Sequence, residues 1–144
     1  DHKIKREYIA IVKGQVKADS GIIDSPLEKG DFGSGKKVRE AGSGRGKKAV
    51  TEYQVKERYA GATLLDIKVR TGRTHQIRVH LAGKGHPILG DKLYFEGEDS
   101  PLINRQALHA LTLGFTHPVS GKKLTFRSNI PHDMEEVIDK LRMG

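Results

Sequence analysis

The sequence contains no cysteine among its 144 residues. This absence excludes disulfide bonds, thiol catalysis and zinc sites with thiolate ligands, so the stability of the fold must come from packing. The chain also has no run of 18 apolar residues, and its first residues, DHKIKREY, are charged rather than apolar. Neither a membrane-spanning helix nor a secretory signal is therefore expected, and we predict a cytoplasmic location. A chain of this length suits one domain with a single core.

Acidic residues are missing from one long stretch, between Asp66 and Asp91. The cations inside that stretch are Lys68, Arg70, Arg73, Arg78 and Lys84. Over the whole chain, 26 Lys and Arg residues face 18 Asp and Glu residues, which gives a formal net charge of +8. Because clustered positive charge indicates a partner better than net charge does, we predict a nucleic acid partner. A basic protein without such a partner is the alternative.

Alternating apolar residues predict a sheet built mainly from antiparallel hairpins. Residues 4–12 read as a strand, residues 49–59 and 62–70 as a hairpin around Ala60 and Gly61, and residues 108–115 and 122–126 as a second hairpin. Residues 30–48 are rich in glycine and in cations, which favours a mobile basic loop or hairpin with a short strand at KKVRE.

Two helices are predicted beside these strands. Thr74 can cap a helix that runs to about Ala82 and stops at Gly83. The final helix has an apolar stripe, with Asp133 and Glu136 in the pattern of a capping box. Together the elements predict an α+β fold, with a mostly antiparallel mixed sheet and a few flanking helices.

The stretch TGRTHQIRVH, residues 71–80, concentrates donors on the first of these helices. Ile77 and Val79 fall on nearly opposite sides of it, so Arg78 is expected to be at least partly buried. A buried guanidinium stays charged and needs a carboxylate or phosphate partner. That partner is either Asp66, Asp91 or another distant acid in a structural ion pair, or it belongs to a missing segment or a ligand.

Other residues in and around this stretch define the expected binding surface. The five-residue spacing of His75 and His80 does not align two metal ligands on a helix, so no metal is expected. Ser34, Ser43 and Ser120 lie in glycine-containing turns, which does not suit a hydrolase triad. Phosphate contact is predicted for Arg70, Arg73 and His75 near the start of the helix. Lys84 lies in the same acid-free stretch and is assigned to the same nucleic-acid-facing surface.

Three segments resemble RluA-type RNA pseudouridine synthases, and they occur in the order found in that family. The most specific is VRTGRTHQIRVHLAGKGHPILGDKLYF, residues 69–95, which is similar to the signature segment of these enzymes. KREYIAIVKG is similar to the tyrosine motif of the family. LHALTLGFTHPVSGKKLTF followed by IPHD is similar to its closing hairpin and helix start.

The resemblance implies a partial pseudouridine synthase fold and isomerisation of uridine within RNA, with ribosomal RNA as the expected substrate. It implies no cofactor and no metal. Arg78 matches the arginine that pairs with the catalytic aspartate in this family, holding that residue ionised and placed. Tyr8 matches the tyrosine that stacks on the target uracil and can help to remove the C5 proton.

One expected motif has no match in the sequence. The catalytic aspartate of the family lies in a pattern like HRLDxxTSG, and Asp1 does not fit it. We therefore expect residues 1–144 to be the C-terminal portion of a catalytic domain and to be inactive alone. A non-catalytic basic RNA-binding module and a basic structural domain with internally paired arginines are the alternatives.

Overall fold

The structure is a computed structural model that describes residues 5–42, 44–94 and 102–144. Asp1, Ser43 and the first residue of the strand predicted at residues 4–12 lie outside the described residues. Within these ranges the chain forms eight strands and two helices. Their bounds are β1 Lys5–Lys13, β2 Ser20–Asp24, β3 Leu27–Lys29, β4 Val38–Glu40, β5 Val50–Arg58, β6 Ala62–Val69, α1 Gln76–Gly83, β7 Leu108–Thr116, β8 Lys123–Arg127 and α2 His132–Met143.

Six of the strands form one sheet in the order β2-β5-β6-β1-β7-β8, and β3 and β4 form a separate small sheet. Every pairing between these strands is antiparallel. The predicted α+β class is thereby confirmed, as are the β5–β6 and β7–β8 hairpins. β4 corresponds to the short strand expected at KKVRE, whereas β2 and β3 were not predicted.

Strand β1 carries a register shift, in its pairing with β7, that lies next to the candidate site residue Tyr8. Glu7 pairs with Thr112 and Tyr8 with Ala110, so β7 contributes one extra residue at this point. Such a bulge re-aims the neighbouring side chains. Beyond it, Ile9, Ala10, Ile11 and Val12 are all buried, because β1 has strands on both edges and packed side chains on both faces.

Helix α1 joins two hydrophobic clusters. Ile77 and Leu81 belong to the main core together with residues of the large sheet and of α2. Val79 belongs to a second cluster with Leu27, Val38, Ala49 and Tyr94. The expected covering of α1 on opposite sides is confirmed, and it ties the small β3–β4 sheet to the helix that carries Arg78.

The predicted starts of both helices are wrong in detail. The N-cap of α1 is His75 rather than Thr74; it adopts a left-handed conformation with φ of 54° and makes no side-chain cap hydrogen bond. The N-cap of α2 is Pro131, so the Asp133–Glu136 capping box does not form. The Asp133 carboxylate instead accepts two hydrogen bonds from Arg105, at 2.8 Å each. In α2, therefore, a contact distant in sequence takes the place of the local cap.

Among the helices of the described ranges, none is long and apolar enough to cross a membrane.

Candidate active site

A cleft of about 440 Å³ lies where β1, the loop at residues 71–73, the start of α1 and the start of β7 meet. Four residues singled out from the sequence line it together: Tyr8, Arg73, His75 and Arg78. The other described residues that line it include Arg6, Gln76 and Gln106, which were not predicted from the sequence as site residues. None of the described lining residues is acidic, so the cleft favours an anionic ligand.

Arg78 is held by Asp91, one of the two acids named as possible partners. Its Nε donates to Oδ2 and its Nη2 donates to Oδ1, both at 2.8 Å. The side chains of Arg78 and Asp91 are 12% and 1% exposed. This is a two-pronged pair in a site largely closed to water, where charge-assisted hydrogen bonds are strongest.

Both members of this pair remain charged. Burial alone would raise the pKa of Asp91, but hydrogen bonds from Arg78 and from the backbone of Tyr94 hold that pKa below its ordinary value. The hydrogen bond to Asp91 raises the pKa of Arg78, against the effect of burial. The partner left open by the sequence is therefore supplied, in this structure, by the residue that ends the acid-free stretch.

Tyr94 and His75 extend the contacts around Arg78. The Cζ atom of Arg78 lies 5.2 Å from the centre of the Tyr94 ring. The Tyr94 hydroxyl shares a hydrogen bond of 2.7 Å with Nδ1 of His75, and the two rings meet edge to face. Burial, followed by the charge of Arg78, lowers the pKa of His75, so this ring is neutral at pH 7. Its left-handed backbone is unusual for a residue other than glycine.

Gln76 fixes the loop that carries Arg73. Its side chain is buried, and its Oε1 accepts hydrogen bonds from the Thr71 hydroxyl at 2.6 Å and from the Arg73 backbone N–H at 3.1 Å. Its Nε2 donates at 2.9 Å to the Val50 carbonyl and to the Thr51 hydroxyl. All four contacts hold the loop at residues 71–73 against β5.

His80 completes this buried polar network. Its Nε2 lies 2.8 Å from the Ser25 carbonyl, which can only accept, so Nε2 carries the proton. Its Nδ1 then accepts from the Thr51 hydroxyl at 2.8 Å. Burial lowers the pKa of His80, which favours this neutral form. Two of the donors concentrated in residues 71–80, Gln76 and His80, thus serve the fold rather than a ligand.

Tyr8 reaches the cleft from the large sheet. It is half-buried on β1, next to the bulge, and pairs with Ile67 on one side and Ala110 on the other. Arg6, two residues earlier on the same strand, packs against Gly72, where a Cβ atom would lie 2.7 Å from its Nη1. The structure therefore brings Tyr8 and Arg78 to one cleft, although they are 70 positions apart in the chain.

Arg70 and Lys84 lie outside this cleft. Arg70 donates to Oε1 of Glu52 at 2.6 Å on the exposed surface, so part of its charge is neutralised. Lys84 follows the other end of α1 and lines a separate recess with Lys17 and His86. The four residues predicted to bind RNA are thus split, with Arg73 and His75 in the cleft and Arg70 and Lys84 apart from it.

The sequence carried a partial signal for the residues that were missed. Gln76 and His80 are four positions apart, which places them on one side of a helix and predicts a shared environment. Tyr94 and Gln106 had no comparable local pattern, since their positions depend on the turns that follow α1.

Within the described part of the chain, no group of three or more His, Asp or Glu side chains is placed to hold a metal ion.

Comparison with known proteins shows sequence similarity to pseudouridine synthases. A family model described as RNA pseudouridylate synthase matches residues 1–83. Ribosomal large subunit pseudouridine synthase D of Zymomonas mobilis is 41% identical over 151 aligned residues, which cover 100% of this chain and 47% of that protein. Ribosomal large subunit pseudouridine synthase C of Haemophilus influenzae is 38% identical, with 96% of this chain and 44% of that protein covered.

Among solved structures, Human RNA Pseudouridylate Synthase Domain Containing 1 has a similar fold, with a TM-score of 0.79 and 22% identity. The similarity covers 99% of this chain and 67% of that one. The chain spans about half the length of the curated relatives it matches.

Proposed function

The chain belongs to the RNA pseudouridylate synthase family, and from this premise we propose that residues 1–144 form the C-terminal portion of a catalytic domain that isomerises uridine to pseudouridine in RNA. Ribosomal RNA is the proposed substrate, since several relatives carry names that refer to the large ribosomal subunit. The proposal depends above all on one observation: Tyr8 and Arg78 line the same cleft.

Each of these two residues has a proposed role that its chemistry suits. The ring of Tyr8 offers a flat apolar face on which a uracil can stack, and its hydroxyl can accept or donate a proton during loss of the C5 hydrogen. Arg78 offers a charged, planar group of N–H donors to the carboxylate of the catalytic aspartate. A base stacked on Tyr8 and a carboxylate bound to Arg78 would then share one cleft of about 440 Å³.

The rest of the cleft is proposed to hold the RNA backbone. Arg73 supplies charge at the start of α1, and His75 supplies a neutral ring with one nitrogen not used by Tyr94. Arg70 and Lys84 are proposed to extend the contact to RNA phosphates away from the cleft. The reaction implied by the family uses no cofactor and no metal, and a cytoplasmic location is proposed.

No segment matches the pattern HRLDxxTSG, so we propose that the chain alone binds RNA without converting uridine.

The test is to incubate the full-length gene product, and separately residues 1–144, with unmodified ribosomal RNA and to map pseudouridine chemically. We expect pseudouridine at a defined uridine with the full-length protein and none with the 144-residue chain. Salt-sensitive RNA binding by the full-length protein without any pseudouridine would instead support a non-catalytic RNA-binding module. Activity in the 144-residue chain would show that the catalytic centre lies elsewhere.

A further inference from the structure

We propose that Asp91 is a positioning residue: it fixes the guanidinium of Arg78 so that the unused donors of that group meet an anion in the cleft. This inference rests on the proposed function, in which the anion is the carboxylate of the catalytic aspartate. Asp91 is not among the described residues that line the cleft, so it acts through Arg78.

The backbone holds the Asp91 carboxylate in place independently of Arg78. Its Oδ1 accepts hydrogen bonds from the backbone N–H groups of Leu93, at 3.0 Å, and Tyr94, at 3.2 Å. The preceding residue, Gly90, has φ of +77°, and a Cβ atom there would lie 2.0 Å from the Arg105 carbonyl. The turn before Asp91 therefore packs too closely against the chain for any other residue, which restricts where the carboxylate can lie.

The carboxylate in turn restricts Arg78. A guanidinium has five N–H donors, one on Nε and two on each terminal nitrogen. Asp91 takes one on Nε and one on Nη2, and no other residue in the described ranges accepts from Arg78. The two donors on Nη1 and the second on Nη2 are left for a ligand, and Arg78 is among the residues that line the cleft.

Two oxygens of a second carboxylate can bind these remaining donors while Asp91 stays bound. A planar fork held along one edge offers its other edge in a fixed direction, which an isolated flexible arginine does not. The Tyr94 ring, 5.2 Å from Cζ, further limits rotation of the group. Asp91 thereby contributes orientation, and its loss should lower turnover more than it weakens RNA binding.

A double-mutant cycle on the full-length gene product tests this role. Arg78→Lys, Asp91→Asn and the combined variant are assayed for kcat and KM on ribosomal RNA. We expect Asp91→Asn to lower kcat by about 10- to 100-fold with KM within about 3-fold. Because both changes remove the same oriented guanidinium, the combined variant should be no slower than Arg78→Lys alone. Glu57→Gln, which alters a two-pronged arginine pair far from the cleft, should leave kcat within about 2-fold.

The positioning role would be overturned if the fold-losses in kcat of the two single variants multiplied in the combined variant. An unchanged kcat in Asp91→Asn would overturn it as well. A second measurement needs no variant: hydrogen exchange at Nε of Arg78 in the wild-type full-length protein, followed by NMR. We expect exchange at least about 10 times slower than at Nε of Arg142. Equal rates would show that the Asp91 contact does not persist. If the wild-type protein made no pseudouridine yet Arg78 were protected, the proposed function would fail while the pair itself stood.

Discussion

Helices α1 and α2 each carry one arginine that binds a carboxylate outside the helix through two hydrogen bonds. Arg78 of α1 contacts Asp91 at 2.8 Å twice, and Arg142 of α2 contacts Glu57 at 2.9 and 2.8 Å. The geometry is nearly the same, but the surroundings differ. Arg78 and Asp91 are 12% and 1% exposed, whereas Arg142 and Glu57 are 55% and 33% exposed.

The two pairs thus share their geometry and differ in burial and neighbours, and it is burial and neighbours that support the proposed role of Arg78. Water and salt screen the α2 pair, so each charge can stand alone without a large loss of stability. In the α1 pair, each charge depends on the other, and the backbone N–H groups that bind Asp91 add to that dependence. The buried pair also borders the cleft, whose described lining residues include no acid.

The largest expected effect separates the two pairs by stability. Asp91→Ala leaves the Arg78 charge buried without its partner, which should lower the free energy of unfolding by about 3–5 kcal/mol. Glu57→Ala removes an exposed carboxylate and should have a much smaller effect. Denaturant unfolding of both variants and the wild-type protein provides the measurement. Similar losses in the two variants would remove the distinction between the pairs.

The buried network under α1 should give the next largest effect. Gln76→Ala removes four hydrogen bonds and leaves buried donors and acceptors of the loop and β5 unpaired, for an expected loss of about 2–3 kcal/mol in unfolding free energy. Gln54→Ala on the exposed surface of β5 is the matched control, with a change within about 0.5 kcal/mol. A Gln76→Ala variant as stable as Gln54→Ala would mean that the network contributes little.

RNA binding should distinguish Arg73, which lines the cleft, from Arg70, which pairs with Glu52. Arg73→Gln should weaken binding to single-stranded RNA several-fold and reduce the slope of log K against log salt by about 0.7. Arg70→Gln should have a smaller effect, because Arg70 already pairs with Glu52. Fluorescence anisotropy over a range of salt concentrations measures both. A larger effect of Arg70→Gln would move the phosphate contacts away from the cleft.

The smallest effect concerns pH and also belongs to α1. Burial lowers the pKa of His80 from its ordinary value of 6.5, so the unfolded chain binds a proton at this residue that the folded chain does not. Its contribution to stability is therefore present above about pH 6.5 and is lost as pH falls, by less than about 1 kcal/mol between pH 7 and 6. An NMR titration should show the ring of His80 protonating below the range of free histidine. A His80 ring that titrates at or above pH 6.5 would contradict a neutral ring with hydrogen bonds at both of its nitrogens.

The two helices also show what could be predicted from sequence. The apolar stripe of α2, with acids in its first turn and Lys140 and Arg142 in its last, is local information, and the helix was predicted. The existence of α1 and the burial of Arg78 followed from the spacing of Ile77, Val79 and Leu81. Its true start did not, because the left-handed His75 and the contacts of Gln76 depend on residues far along the chain.

The choice between possible partners for Arg78 needed the structure as well. Asp66 and Asp91 lie at the two ends of the acid-free stretch, so the sequence does not distinguish between them. In the structure, Asp66 lies on β6 beside Glu7 of β1. Burial, and then its hydrogen bond with Glu7, raises the pKa of Asp66. Strand pairing decides this arrangement. The short strands β2 and β3 were missed for a related reason, since they have few alternating residues and depend on their partners β5 and β4.

Turnover of Arg78→Lys and Arg142→Lys in the full-length gene product tests most directly whether Arg78 is functional and Arg142 structural. Both changes keep the charge and lose the two-pronged contact. Pseudouridine formation on ribosomal RNA should fall by about 100-fold or more for Arg78→Lys, with RNA affinity changed by less than about 3-fold. Arg142→Lys should retain near wild-type turnover. Full turnover in Arg78→Lys, or equal losses in the two variants, would contradict the assignment of Arg78 to the active site.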